Sequence, residues 1–268
     1  MNDASPTAAP LLSPGDPPAF EIVNPAGKAR LLFVCDHASK AVPRRLDRLG
    51  ITEAELSQHV GWDIGAAAMT RWLADRFDAP AVLAGYSRLV IDCNRRFDDP
   101  TSIPEVSDRI VVPANRNLSP AERKARQDAC FTPYHDAVAA LLDRFQAEGR
   151  VPAILSMHSF TPVFDAKHRP WHVGLLWHKD DRLAKPLLSA LAADPAVSVG
   201  DNEPYSGASP HAYTMPVHGM ARGLPHIQFE VRQDLIGDEE GAHRWAQRLH
   251  RALAAVLADD TIYTVRHY

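Results

Sequence analysis

Cysteine is scarce in this chain of 268 residues, and the three present, Cys35, Cys93 and Cys130, lie far apart. An odd number without C-x-x-C spacing excludes a disulfide framework and fits a reducing cytoplasm. Net charge is small, -4 with a pI near 6.3, so the basic footprint of a nucleic-acid binder is missing. Nowhere do enough apolar residues follow one another to span a bilayer, and the first residues lack a basic segment followed by an apolar run. The expectation is a soluble, uncleaved protein with neither nucleic acid nor membrane as partner. No Gly-rich phosphate loop follows an apolar run, which argues against nucleotide chemistry. A G-x-S-x-G elbow is absent too, and no cysteine has a companion that would mark it as a nucleophile.

Apolar content of 46% is ample for a large core. Residues 1–18, rich in Ala, Pro, Ser and Asp, read as a loosely packed tail, and 19–268 as a single domain. Strand-length apolar runs occur at Arg30–Cys35, Ala81–Ala84, Leu89–Ile91, Ala153–Met157, Trp171–Leu176, Val197–Val199 and His226–Glu230. Between them the spacing predicts helices from Asp63 to Phe77, from Ser119, from Thr132 to Phe145 after a break at Pro133, over Arg182–Leu191, and over Glu239–Leu257. This alternation predicts a three-layer α/β/α sandwich around a mostly parallel or mixed sheet. Two long loops, 97–118 and 200–222, could wall one cleft.

Polar residues stand where the apolar runs stop: His37 after Cys35, Asn94 and Arg95 after Ile91, His158 after Met157, and Glu230 after Phe229. In parallel sheets ligands gather at the carboxyl ends of strands, so these side chains can converge on one edge. Two imidazoles and a carboxylate make a catalytic zinc site. The carboxylate is open. Three residues after His37 stands Lys40, which cannot ligate while charged. Asp63 is the choice, although it also stands where a helix N-cap would; Asp36 is a third option, disfavoured because neighbours on a strand face opposite ways. Glu230 can take a proton from water, unless it only pairs with Arg232. Arg95, with Asn94, suits a carboxylate through its planar fork, unless Arg95 and Arg96 are a solvated pair. Arg88 is a candidate for a second carboxylate or an oxyanion. His211, Tyr213 and His218 lie in the second loop, where substrate contact is possible.

Together the segments Cys35-Asp-His-Ala-Ser39, Gly61-Trp-Asp-Ile-Gly65, Ser87-Arg-Leu-Val-Ile-Asp-Cys-Asn-Arg95, Ser156-Met-His-Ser-Phe160 and Gly223–Arg232 resemble the N-formylglutamate amidohydrolase family. The likeness runs from about residue 30 to 255. It implies a zinc-exopeptidase-like (phosphorylase/hydrolase-like) fold, similar to zinc carboxypeptidases and aspartoacylases. It also implies a zinc ligand at His158, carboxylate binding by Asn94 and Arg95, and a general base at Glu230. The implied activity is hydrolysis of N-formyl-L-glutamate, or a related small N-acyl amino acid, within amino-acid metabolism such as histidine degradation. A deacylase or carboxypeptidase-like hydrolase of another N-acyl substrate is the alternative. A non-catalytic carboxylate-binding protein is the reading from another class, raised by Lys40.

Overall fold

The run Leu31-Leu-Phe-Val-Cys35 is buried at all five positions, as a strand covered on both faces must be. It belongs to a sheet of seven strands: β1 (Phe20–Val23), β2 (Leu31–Cys35), β3 (Ala81–Ala84), β4 (Ala153–Phe160), β5 (Val173–Leu176), β6 (Val199–Asp201) and β7 (His226–Arg232). The computed structural model describes residues 10–268. The strand order is β1-β3-β2-β4-β7-β5-β6. The four central strands β3, β2, β4 and β7 run parallel, while β1 pairs antiparallel with β3 and β5 antiparallel with β7. The sheet is therefore mixed, with its parallel part where the polar strand ends lie.

Alternation along the strands sorts side chains into two cores. Phe33, Leu155 and Phe229 face helices α1 (Ala66–Phe77), α3 (Ala184–Ala192) and α4 (Glu239–Leu257), which supply Met69, Leu73, Leu187, Trp245 and Leu249. Leu32, Val34 and Ile154 face α2 (Thr132–Ala147) through Tyr134, Val138, Leu141 and Phe145. These are the three expected layers. A third cluster, including Leu49, Val60, Leu89, Ile91, Val112 and Phe131, lies beneath the loops.

Four expectations need correction. Leu89–Ile91 is a buried turn in that third cluster, not a strand: an apolar triplet that needs burial finds it under the loops rather than in the sheet. The strand at Ala153 continues past His158 to Phe160, because parallel pairing with β7 satisfies its backbone up to that residue. Pro133 does not break the helix. Residues Pro120–Arg126 pass through a π-helical turn, Gln127–Phe131, directly into α2, and a wider turn accommodates a proline that lacks the N–H of a regular ladder. Finally, Leu11 and Leu12, within the expected tail, pack against the third cluster; the tail's residues 1–9 lie outside the described residues.

The capping boxes at Thr52/Glu55 and Ser119/Glu122 form as their spacing predicts. Each of the two long loops carries structure of its own. The first folds into a small hairpin, Val106–Ser107 with Ile110–Val111, and the second ends in a π-helical turn, Met215–Met220. Among the described residues, no helix is long and apolar enough to cross a membrane.

Candidate metal centre and cleft

The site is built by strand parity and register. Asp36 continues the α2-facing series of Leu32 and Val34, and on that side its Oδ1 accepts hydrogen bonds from the hydroxyls of Tyr134 and Thr214, each at 2.8 Å. His158 and Glu230 are partners in the parallel pairing of β4 with β7, so their side chains leave the same face side by side. Asp63 arrives from a turn. Its backbone N–H donates to the carbonyl of His37 at 3.0 Å, and glycines flank the turn at both ends. A Cβ at Gly61 would lie 2.1 Å from the Leu56 carbonyl oxygen, and Gly65 has φ +81° with the Ile236 carbonyl oxygen 2.2 Å from where its Cβ would be. Only glycine fits there. The N-cap of α1 is Gly65, which leaves the Asp63 side chain free to point inward.

His37, Asp63 and His158 come together, with one potential ligand atom from each inside 4.8 Å of the others, all buried. Asp63 Oδ2 lies 3.2 Å from His37 Nδ1 and 2.8 Å from His158 Nδ1. The opposite ring nitrogens are each held by a separate carboxylate: His37 Nε2 by Asp92 Oδ1 at 2.7 Å, and His158 Nε2 by Asp36 Oδ2 at 3.1 Å. Carboxylates that accept the far N–H of an imidazole fix its tautomer and aim its other nitrogen, as is usual around metal-binding histidines. The disfavoured Asp36 is therefore part of the cluster, as a partner of His158.

Charge points the same way. Asp36, Asp63 and Asp92 are buried around two imidazoles, and among the described residues Arg88 is the one guanidinium paired with them, at 3.4 Å from Asp63 and 3.0 Å from Asp92. Three carboxylates and one guanidinium leave two negative charges, which either two imidazolium protons or one divalent cation would balance. Burial pushes both imidazoles toward neutrality, yet the surrounding aspartates outweigh it and hold His37 raised and His158 raised well above the usual range. Asp63, pushed up by burial, is nonetheless held well below the carboxylate range by His37 and His158. Two nitrogens, one carboxylate oxygen and a matching charge deficit are what a divalent metal such as zinc requires.

Glu230 is different. Burial, opposed by His158, pushes its carboxyl up to about 7. Oε1 accepts from Gln228 Nε2 at 2.9 Å, while Oε2 is buried without a hydrogen-bond partner among the described residues. Arg232 pairs with Asp234 and not with Glu230.

Next to the cluster, which it meets through His59, Arg88 and Asp92, opens a cleft of about 300 Å³ lined by these residues, Arg95, Tyr205 and residues of both long loops among others; His37, Asp63, His158 and Glu230 are not among the residues that line it. The loops do wall one cleft. Arg95 lines it and donates to the Asn94 carbonyl at 2.9 Å, forming no ion pair with a described carboxylate; Arg96 pairs with Asp98 at the surface. Asn94 and His218 are not in the lining. Asn94 Oδ1 accepts from the backbone N–H of Tyr213 and of Thr214, both at 3.1 Å, and so braces the residue that holds Asp36. His218 is buried against His135, Nε2 to Nδ1 3.0 Å. His211 pairs with Asp99 at the surface. Lys40 pairs with Glu53 and Ser57 and takes no part in the cluster.

Sequence reasoning passed over His59, whose Nδ1 lies 3.7 Å from Asp63 Oδ1 and whose burial holds it down to about 4. Its i, i+4 spacing from Asp63 was the available signal. It also gave no role to Asp92, although that residue opens the quoted Asp-Cys-Asn-Arg cluster.

The gene product Atu2144 of Agrobacterium tumefaciens has a crystal structure similar to this one, with a TM-score of 0.89 and 35% identity over 92% of this chain and 98% of that one. The crystal structure of an N-formylglutamate amidohydrolase from Ralstonia eutropha JMP134 shares the fold at a TM-score of 0.70 and 20% identity, covering 91% of this chain and 98% of its own. None of the curated proteins matches. Residues 29–237 match the sequence profile of FGase, N-formylglutamate amidohydrolase. The chain belongs to that family, whose members hydrolyse C–N bonds other than peptide bonds.

Proposed function

We propose that this single-domain chain is a cytoplasmic metal-dependent amidohydrolase that cleaves N-formyl-L-glutamate, or a related N-acyl acidic amino acid, to the amino acid and formate. The reading is supported above all by one observation: a buried His37–Asp63–His158 cluster, its imidazoles braced by two further aspartates, beside a carboxyl with an unpartnered oxygen. A zinc ion held by those three residues would supply Lewis acidity toward an amide carbonyl and lower the pKa of water. Glu230 accepts the water proton at Oε2 and delivers it to the departing amine nitrogen. A carboxyl poised near 7 suits both halves of that transfer at neutral pH. Arg95 binds the substrate's α-carboxylate in the cleft. Arg88, tied to Asp63 and Asp92, steadies the cluster rather than the substrate.

The test is turnover of N-formyl-L-glutamate by purified enzyme, with formate release as the readout, before and after chelation and after added Zn. No formate under any condition would reject the reading; activity on N-acetyl or peptide substrates alone would move it to the deacylase or carboxypeptidase-like alternative.

Two further outcomes are expected. Arg95→Ala should raise KM for the carboxylate substrate with kcat little changed, because it removes a contact made equally in ground and transition states; steady-state kinetics on one preparation decides this. Asp36→Asn should weaken metal binding by about 10- to 100-fold, the usual effect of losing a carboxylate behind a ligating imidazole. Competition with a chromogenic chelator measures it, and affinity equal to the parent's would remove Asp36 from the metal's support.

A further inference from the structure

Two arginines line the cleft and a third packs against residues of its wall, and they differ in what they face. Arg88 is committed to two aspartates, and Arg95 forms no ion pair among the described residues. The third, Arg169, comes from another part of the chain. It follows a hairpin, Val163–Phe164 with Lys167–His168, whose turn residues Asp165 and Ala166 have positive φ, and its own N–H closes the base on the Pro162 carbonyl at 2.9 Å.

The Arg169 side chain is held in place without being neutralised. Its guanidinium carbon lies 4.7 Å from the ring centre of Phe164 and 5.0 Å from that of Tyr205. Nη1 donates to Thr161 Oγ1 and to Tyr205 Oη, both at 3.2 Å. Phe164, Thr161 and Tyr205 all line the cleft. Among the described residues no carboxylate pairs with Arg169, and Nε and Nη2 have no hydrogen-bond partner. Aromatic faces stabilise a guanidinium but do not use its in-plane N–H groups. The edge formed by Nε and Nη2 is the fork that grips a carboxylate through two parallel hydrogen bonds. An oriented, half-buried cation with that edge unused has the donors to receive an anion.

We propose that Arg169 binds the side-chain carboxylate of an acidic N-acyl amino acid while Arg95 holds the α-carboxylate, making Arg169 the residue that selects dicarboxylate substrates over neutral ones. The assignment rests on the amidohydrolase reading above and adds to it. It also reassigns the second carboxylate, which the sequence suggested for Arg88, to an arginine that has no internal anion.

The experiment compares kcat/KM for N-formyl-L-glutamate with kcat/KM for N-formyl-L-glutamine in the zinc-loaded full-length enzyme and in Arg169→Met. Methionine keeps an unbranched stem beside Phe164 and Tyr205. Because both substrates are measured on the same preparation, any loss of folded enzyme cancels in the ratio. The parent should prefer the glutamate compound, and the substitution should reduce that preference by about 10- to 100-fold, the scale of a charge-assisted pair. Arg169→Lys, which keeps the charge and loses the fork, should recover part of it. A ratio that the Met and Lys substitutions both leave unmoved, or a parent with no preference, would overturn this assignment while leaving the amidohydrolase reading in place. A parent that releases formate from neither compound would overturn that reading and this assignment with it.

Discussion

Glu230→Gln should lower kcat by about two to four orders of magnitude, the span usual for a general acid–base group, while metal content and fold stay as in the parent. Glutamine has nearly the same shape and can still accept from Gln228 through its carbonyl. What it cannot do is take a proton. The site gives a direction for stability as well. Burial raises the Glu230 carboxyl from 4.5 to about 7, so the folded protein favours its neutral form. Its contribution to stability is then fully present below about 4.5 and is lost as pH rises through 7. The neutral amide does not ionise, so in metal-free protein at pH 8 the variant should melt no lower than the parent. Stopped turnover with an undiminished melting temperature would separate loss of a base from loss of a fold. Near-parental kcat would remove Glu230 from proton transfer.

That Glu230, the proposed proton acceptor, stands beside His158 follows from the β4–β7 pairing. Ala153–Met157 and His226–Phe229 are strand-length runs, buried at every position but Gln228, and each is followed by a titratable group. Once both strands are parallel neighbours, register alone puts His158 beside Glu230. The same logic brings His37 to that edge from β2. It fails for Leu89–Ile91, where three apolar residues look like a strand but are buried by loops instead. It fails again for Asp92 and Asp36. Their pairing with His37 and His158 spans 55 and 122 residues of sequence and depends on side-chain reach, which no local pattern encodes. Parity disfavoured Asp36 as a ligand next to His37, yet that same parity turns it toward the face of His158, where the second imidazole needs an acceptor. Arg169 was unreadable for a related reason: its importance lies in the absence of an anion around it, and an absence is visible only once neighbours are placed.

The largest effect on the metal should come from Asp63→Asn. Asp63 Oδ2 is the atom common to both imidazoles, and its Oδ1 faces Arg88 and, at 3.7 Å, His59. An amide in its place removes the anionic donor and one of the two negative charges that a divalent ion would balance. Affinity for Zn should therefore fall by more than the roughly 100-fold that marks the upper end for a supporting carboxylate, and formate release should fall with it. The protein itself should remain folded, because Gly61 and Gly65 set the turn and the backbone bond from residue 63 to the His37 carbonyl does not involve the side chain. Metal analysis after dialysis, read beside circular dichroism, is the decisive pair of measurements. Stoichiometric zinc in the folded Asn variant would mean that the third protein ligand is another carboxylate of the cluster, with Asp36 or Asp92 to be substituted next. An Asp36→Asn change that weakens binding less than Asp63→Asn would rank the two as support and ligand, the order that the shared Oδ2 and the braced Nε2 atoms require.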